Sequence, residues 1–389
     1  MPKSAFLIDI NPAVLRWARE TAGRSVEEAA HKLGRSPKAV EDWEAGRKPP
    51  SWPDVRRLAA YYKRPAGALL LPEPPAEPDQ PTDFRTHPGP RTGLSPKTRL
   101  AIRTARWLQG RAIELRQELK LPAEFQPARG DARRDPERLA ANVRAALGID
   151  LEQQRGWTTE SAALQSWRNA VQQQGVLVFQ FAVPTREVRG FSLYDPRLPV
   201  IALNQSDAVR ARIFTLFHEY GHLLLGKPGI CRPEETALTN GEAPNVETFC
   251  NRFAAAVLVP RAEAPRWGMV DVARTAEAKD RAFRELAQRY WVSKYVILGR
   301  LRAAGAVSDV AYGRISARWQ GEAQKQTPRR GRPGGPRASQ RSLQQRGKAF
   351  ARLVADARRQ GLVTTHDAMT YLGVKSLQDL RELESALNR

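Results

Sequence analysis

The chain has 389 residues, 41% of them hydrophobic, and 63 basic against 41 acidic side chains give a formal charge of +22. That length suggests roughly two to four domains, with enough apolar material for at least one sizeable core. Two cysteines, Cys231 and Cys250, exclude a disulfide framework and a four-cysteine zinc site. No apolar run approaches a membrane span, and Ala5-Phe-Leu-Ile8 stops at Asp9, too short for a signal-peptide core. A cytoplasmic protein without membrane contact is expected. The basic excess suits a polyanion partner such as nucleic acid. It suits equally well a general preference for Arg spread along the chain.

Residues 11–71 have the pattern of a compact helical bundle. Asn11-Pro12 starts a helix with Val14, Leu15, Trp17 and Ala18 apolar, ending near Gly23. Ser25 and Glu28 have capping-box spacing, with Ala29, Ala30 and Leu33 inward and Gly34 closing. Ser36-Pro37 opens the next helix, with Val40 and Trp43 inside and Gly46 at its end. Two more helices are expected around 53–62 and 65–71. Residues 73–99 are rich in Pro, Gly and Thr and are expected to be a linker. Helices follow at about 97–120, 136–147 and 160–174.

Strands are then expected at 175–183, 190–195 and 200–203. Helix resumes at 207–225, with Ser206 or Asp207 as cap and Gly226 as terminator. A Pro-, Gly- and Thr-rich loop leads to a helix at 246–258, capped by Asn245 and stopped by Pro260. Further helices are expected at 278–290 and 293–304. Residues 319–340 look like a flexible basic linker, and 341–389 a small helical unit. No repeat with a fixed period is present. The fold class is therefore multidomain and mainly α, with one small sheet.

The chemistry concentrates in Phe214-Thr-Leu-Phe-His-Glu-Tyr-Gly-His-Leu-Leu-Leu225. His218 and His222 are four residues apart, so their imidazoles project from one helix face, one turn apart. Two ring nitrogens so placed can meet one tetrahedral Zn²⁺ at ~2.0–2.1 Å. Glu219 is rotated about 100° away and can reach a water beside the metal without entering its coordination sphere. Catalytic zinc usually takes three protein ligands, and His31, His87 and His366 lie far off in sequence. A carboxylate must serve. Glu247 is the candidate, with Asn251 on the same helix face to hydrogen-bond His218. Glu234, Glu235 and Glu242 compete from the intervening loop, and Glu247 also suits an ordinary first-turn acid. Tyr194 and Tyr220 are candidate oxyanion donors, and strand 190–195 offers either a substrate edge or plain core sheet. Cys250, one turn from Glu247, suits a buried inert thiol better than a redox switch.

The segment 170–260 resembles the ImmA/IrrE family of metallopeptidases, through Phe214-Thr-Leu-x-His-Glu-x-Gly-His222 and Glu247-x-x-x-Asn-x-Phe-Ala-Ala255 ending in Leu-Val-Pro260. The resemblance implies a minimal gluzincin-like zincin with His218, His222 and Glu247 as zinc ligands and Glu219 as general base. It also implies a site-selective protease, or protease-like regulator, acting on helix-turn-helix repressors in a stress or mobile-element response.

Residues 25–48, with Trp43-Glu-x-Gly46 and Pro49, resemble the XRE/Cro family of DNA-binding domains. That likeness places the start of the second helix in the major groove. Ser36, Lys38, Arg47 and Lys48 become candidate contacts to double-stranded DNA, while Glu41 and Asp42 oppose phosphate. Protein docking is the other use of such a domain. Residues 283–305 have a similar helix–turn–helix pattern, and His366 in the tail is expected at the surface.

The expected organisation is a helix-turn-helix domain at 1–72, the linker 73–99 and a metallopeptidase domain with preceding helices at 100–275. A helical subdomain at 276–318, the basic linker 319–340 and the unit 341–389 complete it. The expected function is zinc-dependent endopeptidase activity on a transcriptional repressor, coupled to the N-terminal domain. The alternative is a DNA-binding regulator or antitoxin that keeps the peptidase fold for protein interaction.

Overall fold

The computed structural model describes residues 7–76, 94–122, 125, 135–227, 229–231, 246–267, 276–324 and 335–387. These residues are mainly helical with one small sheet and divide into two compact units, one up to residue 104 and one from 105 onward. Among them, no helix is long and apolar enough to cross a membrane.

The first unit is built from α1 (Pro12–Thr21), α2 (Val26–Leu33), α3 (Pro37–Glu44) and α4 (Trp52–Tyr62). Each begins at a side chain that takes up an otherwise orphaned backbone N–H, namely Asn11, Ser25, Ser36 and Ser51. Ser25 and Glu28 form the reciprocal capping box. Leu15, Ala18, Ala29, Ala30, Val40, Trp43 and Leu58 close the core. The small Ala29 and Ala30 let α2 approach its neighbours. The helix expected at 65–71 is a 3-10 turn, Ala66–Leu70. Leu71 is already extended, as a residue before proline must be.

In the second unit, α5 (Pro96–Glu118, which begins in the first), α6 (Pro136–Leu147), α7 (Leu151–Gly156) and α8 (Glu160–Gln173) lead into the sheet. The six-residue α7 escapes a periodicity reading because it is too short to show a period. Its buried Gln154 donates to the carbonyls of Leu258 and Tyr290. The sheet has the order β1-β3-β2-β4, from β1 (Leu177–Phe181), β2 (Gly190–Leu193), β3 (Val200–Asn204) and β4 (Ile230–Cys231). β1 runs parallel to β3, while β2 is antiparallel to both β3 and β4. β2 is therefore paired on both sides at Gly190 and Phe191, with Cys231 and Ile230 opposite. This segment is core sheet, and the open substrate edge considered at 190–195 is covered there.

Two further helices complete the site, α9 (Val209–Leu224) and α10 (Val246–Leu258). They pack on each other and on the sheet around Phe217, Leu223, Phe253 and Ala254. α9 starts at Val209, later than expected. Neither Ser206 nor Asp207 caps it, because the Asp207 carboxylate turns back to the Ala208 N–H and to Arg189. The cap expected at Asn245 lies outside the described residues.

α11 (Ala276–Arg289), α12 (Lys294–Ala303) and α13 (Asp309–Gln324) follow. α13 carries helix past the expected linker boundary at 319. Trp319 anchors it, 1% exposed, edge-on to Phe283 at 5.1 Å and donating to Asp280 at 2.8 Å. The rest of that expected linker, up to residue 334, lies outside the described residues. α14 (Ala338–Arg346), α15 (Lys348–Arg359), α16 (Thr365–Leu372) and α17 (Leu377–Leu387) then fold back onto β1. Gln180 donates to the Gln344 carbonyl at 2.8 Å, and Phe350 meets Phe179 edge-on at 5.5 Å. Gly347 (φ +78°) turns between α14 and α15 where a Cβ would run into Gln172 and come within 3.0 Å of the Val178 carbonyl. The tail is thus packed against the sheet within the second unit. His366 is exposed.

Candidate metal centre

The heptapeptide from Leu216 to His222 is buried throughout, and His218, Glu219 and His222 are each 0% exposed. Three polar residues on one buried helical turn are costly unless something compensates them. Across from them, the first turn of α10 presents Glu247 and, one turn on, Asn251, both buried. The two helices come close because position 221 is glycine. A Cβ there would lie 3.1 Å from both Cys250 Sγ and the Phe253 ring.

The result is a tight convergence of donor atoms. His218 Nε2 lies 3.2 Å from Glu247 Oε2, and His222 Nε2 lies 3.1 Å from Glu247 Oε1. The two Nε2 atoms are 3.1 Å apart. Outer partners fix the rings. His218 Nδ1 is 2.9 Å from Asn251 Oδ1, and His222 Nδ1 is 3.2 Å from the Lys227 carbonyl. A backbone carbonyl only accepts, so Nδ1 of His222 carries the proton and Nε2 presents a lone pair.

That carbonyl is set by how α9 ends. Gly226, at φ +65°, is left-handed, and its N–H goes to the Leu223 carbonyl while that of Lys227 goes to His222. This paired reversal is a Schellman turn, and it swings the Lys227 oxygen over the ring. Gly229 then lies flat on the same imidazole, where a Cβ would sit 2.9 Å from Cε1. Gly229 and Ser192 exchange hydrogen bonds, tying this segment to β2. Sequence reasoning missed both Lys227 and Gly229. Gly226 was the available signal, since a terminal glycine after a metal-motif helix predicts the turn.

Electrostatics point the same way. Burial pushes the pKa of His222 down, against the opposing pull of Glu247, so its ring is neutral. Two lone pairs and a carboxylate therefore face each other inside a buried space. The residues fit a divalent cation. Donor–donor separations of 3.1–3.2 Å are close to the edge of about 3.3 Å expected for a tetrahedron with ~2.0–2.1 Å bonds. His218, His222 and Glu247 are the group among the described residues with metal-ligand convergence. Glu234, Glu235 and Glu242 lie outside the described residues.

Glu219 is not part of that group, and its side chain packs beside β2. A Cβ on Gly190 would be 3.6 Å from Glu219 Cγ, so β2 leaves room for that side chain by having none of its own. Tyr220 is on the opposite helix face, 4% exposed in the core, and burial raises its pKa to about 12. Of the two oxyanion candidates, Tyr220 thus packs with the apolar core, whereas Tyr194 is 39% exposed. Cys250 is a free, fully buried thiol whose pKa is pushed far up by burial and by the charges of Glu247 and Glu219.

In the first unit, α2 and α3 form the helix-turn-helix, with Gly34 left-handed in the turn. Lys38 and Lys48 are exposed. The Ser36 hydroxyl accepts from the Ala39 N–H as a cap. Arg47 donates to Asp42 at 2.6 Å, so the acid expected to repel phosphate is already neutralised, at the expense of one candidate contact. Glu44 is likewise held by Arg19, through two bonds of 2.7 and 2.8 Å.

Residues 171–302 match the peptidase family model described as an IrrE N-terminal-like domain, and residues 13–70 match a helix-turn-helix domain model. The two matches together reproduce the ImmA/IrrE plus helix-turn-helix architecture. No curated protein matches the chain.

Proposed function

We propose that this protein is a zinc-dependent, site-selective endopeptidase of the ImmA/IrrE type that cuts a helix-turn-helix repressor or related regulator. The observation that carries the reading is the donor set, in which the Nε2 atoms of two imidazoles meet one carboxylate at 3.1–3.2 Å while the outer ring nitrogens are held elsewhere. Because each Nδ1 is engaged on its outer side, both Nε2 atoms are turned toward the carboxylate, as shared ligation of one ion requires.

In this reading His218, His222 and Glu247 hold the ion, and Asn251 and the Lys227 carbonyl orient the two rings. Zinc, when bound, polarises the scissile carbonyl and lowers the pKa of water from 15.7 toward ~7. Glu219 takes the proton from the attacking water and delivers it to the departing amide nitrogen. Its complete burial strengthens its hold on that proton by excluding bulk water. The N-terminal domain binds double-stranded DNA through Lys38 and Lys48, bringing the peptidase to regulators on the same DNA.

Zinc analysis of the parent and of Glu219→Gln, followed by incubation with the repressor encoded nearest to its gene, tests the proposal. One zinc per chain in both proteins, with cleavage by the parent alone, is expected. Full biological activity in Glu219→Gln would favour the regulator that keeps the fold for protein interaction.

A further inference from the structure

A cavity of about 350 Å³ lies between α10, the start of α6 and the end of α12. Four of its wall residues are arginines, Arg252, Arg261, Arg300 and Arg302, and no lysine contributes. Two of them are committed. Arg300 forms a two-pronged pair with Glu137, one arm at 3.0 Å, and Arg302 meets Asp309 at 2.6 Å. The third wall acid, Asp135, accepts the Glu137 N–H at 3.0 Å as the cap of α6. Every carboxylate in the wall therefore has a task. Arg252 and Arg261 are exposed and have no ion-pair partner among the described residues.

We infer that this cavity binds a small phosphate-bearing ligand, of about the size of a nucleoside monophosphate. Two uncommitted guanidinium groups present planar forks that match phosphate oxygens. Ala255, Gly299 and Ala303 leave room beside them for the ligand's uncharged body. The volume falls at the small end of the range for metabolite sites, roughly 300–1,000 Å³.

The cavity also touches the metal centre. Asn251 lines it and places Oδ1 2.9 Å from His218 Nδ1. A ligand that shifts the Asn251 amide alters the hydrogen bond that orients His218, and so signals to the ion. This second half rests on the metal-binding reading, whereas phosphate binding does not.

Isothermal calorimetry of the full chain with 5′-AMP, and separately with inorganic phosphate, tests the site. Saturable 1:1 binding of AMP, weakened about ten-fold or more by Arg252→Gln plus Arg261→Gln, is expected, since two charge-assisted hydrogen-bonding groups are lost. Both positions are exposed, so a melting curve matching the parent certifies the variant's fold. No saturable AMP binding, binding of phosphate alone, or AMP affinity unchanged in the double variant would overturn the inference. The cobalt(II)-loaded chain reports the coupling, because AMP should shift its visible absorption. An unshifted spectrum under saturating AMP would refute the link through Asn251. Failure to take up cobalt at all would count against the metal centre, while AMP binding would still stand or fall on the calorimetry.

Discussion

Gly190→Ala is the most informative single change, because it presses α9 away from the sheet without removing a polar group. The added methyl would run into Thr215 Cγ2 and lie 2.9 Å from the Ala202 carbonyl oxygen, where ordinary contact begins at about 3.4 Å. That oxygen belongs to β3, which is locked in register between β1 and β2, so α9 must yield. Overpacking of this kind costs about 1–3 kcal/mol, and a backbone neighbour puts the expected loss at about 2–3 kcal/mol. For a unit of this size the melting temperature should fall by about 3–5 °C. Thr215 lies one turn before Glu219, so the base moves with it, and a misplacement approaching 1 Å costs on the order of 100-fold in rate. Urea unfolding of Gly190→Ala is the assay, with Gly110→Ala as control. Gly110 is helical with nothing within 4 Å of its would-be Cβ, and its replacement should stabilise by about 0.5–1 kcal/mol. A Gly190→Ala protein with the parent's urea midpoint would refute the packing argument.

Other consequences follow from the same contacts. Asn251→Ala should weaken zinc binding by about 10- to 100-fold through loss of the bond that orients His218, measurable by competition with a chromophoric chelator; unchanged affinity would remove Asn251 from the site. Cys250 should resist a thiol reagent at pH 8 in folded Cys231→Ser protein and react on unfolding. Its pKa is raised by burial and by Glu247 and Glu219, so the thiolate is scarce at that pH. Prompt labelling of the folded chain would contradict the buried placement. DNA affinity should fall steeply with salt, and Lys38→Ala should reduce the slope of log K against log salt by about 1. A flat salt response would make the first unit a protein-docking module.

The sequence reveals those features that depend on spacing along one element. His218 and His222 share a face because four residues make one turn, and Asn251 follows Glu247 for the same reason. Ser25 and Glu28 announce their capping box in the same way. What escapes is whatever depends on two elements meeting. The Lys227 carbonyl reaches His222 only through the left-handed turn at Gly226. Arg47 finds Asp42 only once α3 has ended, which alters the charge presented by the helix-turn-helix. α13 continues into the stretch expected to be linker, as far as Gln324, because Trp319 is held by Phe283 and Asp280 on another helix. Its own composition gives no hint of that anchor. β4, two residues long, has no periodicity to detect, yet it decides whether the edge of β2 is open.

Anomalous X-ray diffraction collected on either side of the zinc absorption edge, from crystals of the full chain, probes the central claim most directly. One peak is predicted, within about 2.0–2.2 Å of Nε2 on both imidazoles and of a Glu247 oxygen, with the Glu219 carboxylate outside bonding range. A zinc-replete crystal with no peak between α9 and α10, or with Glu247 turned away and no other acid in its place, would contradict it.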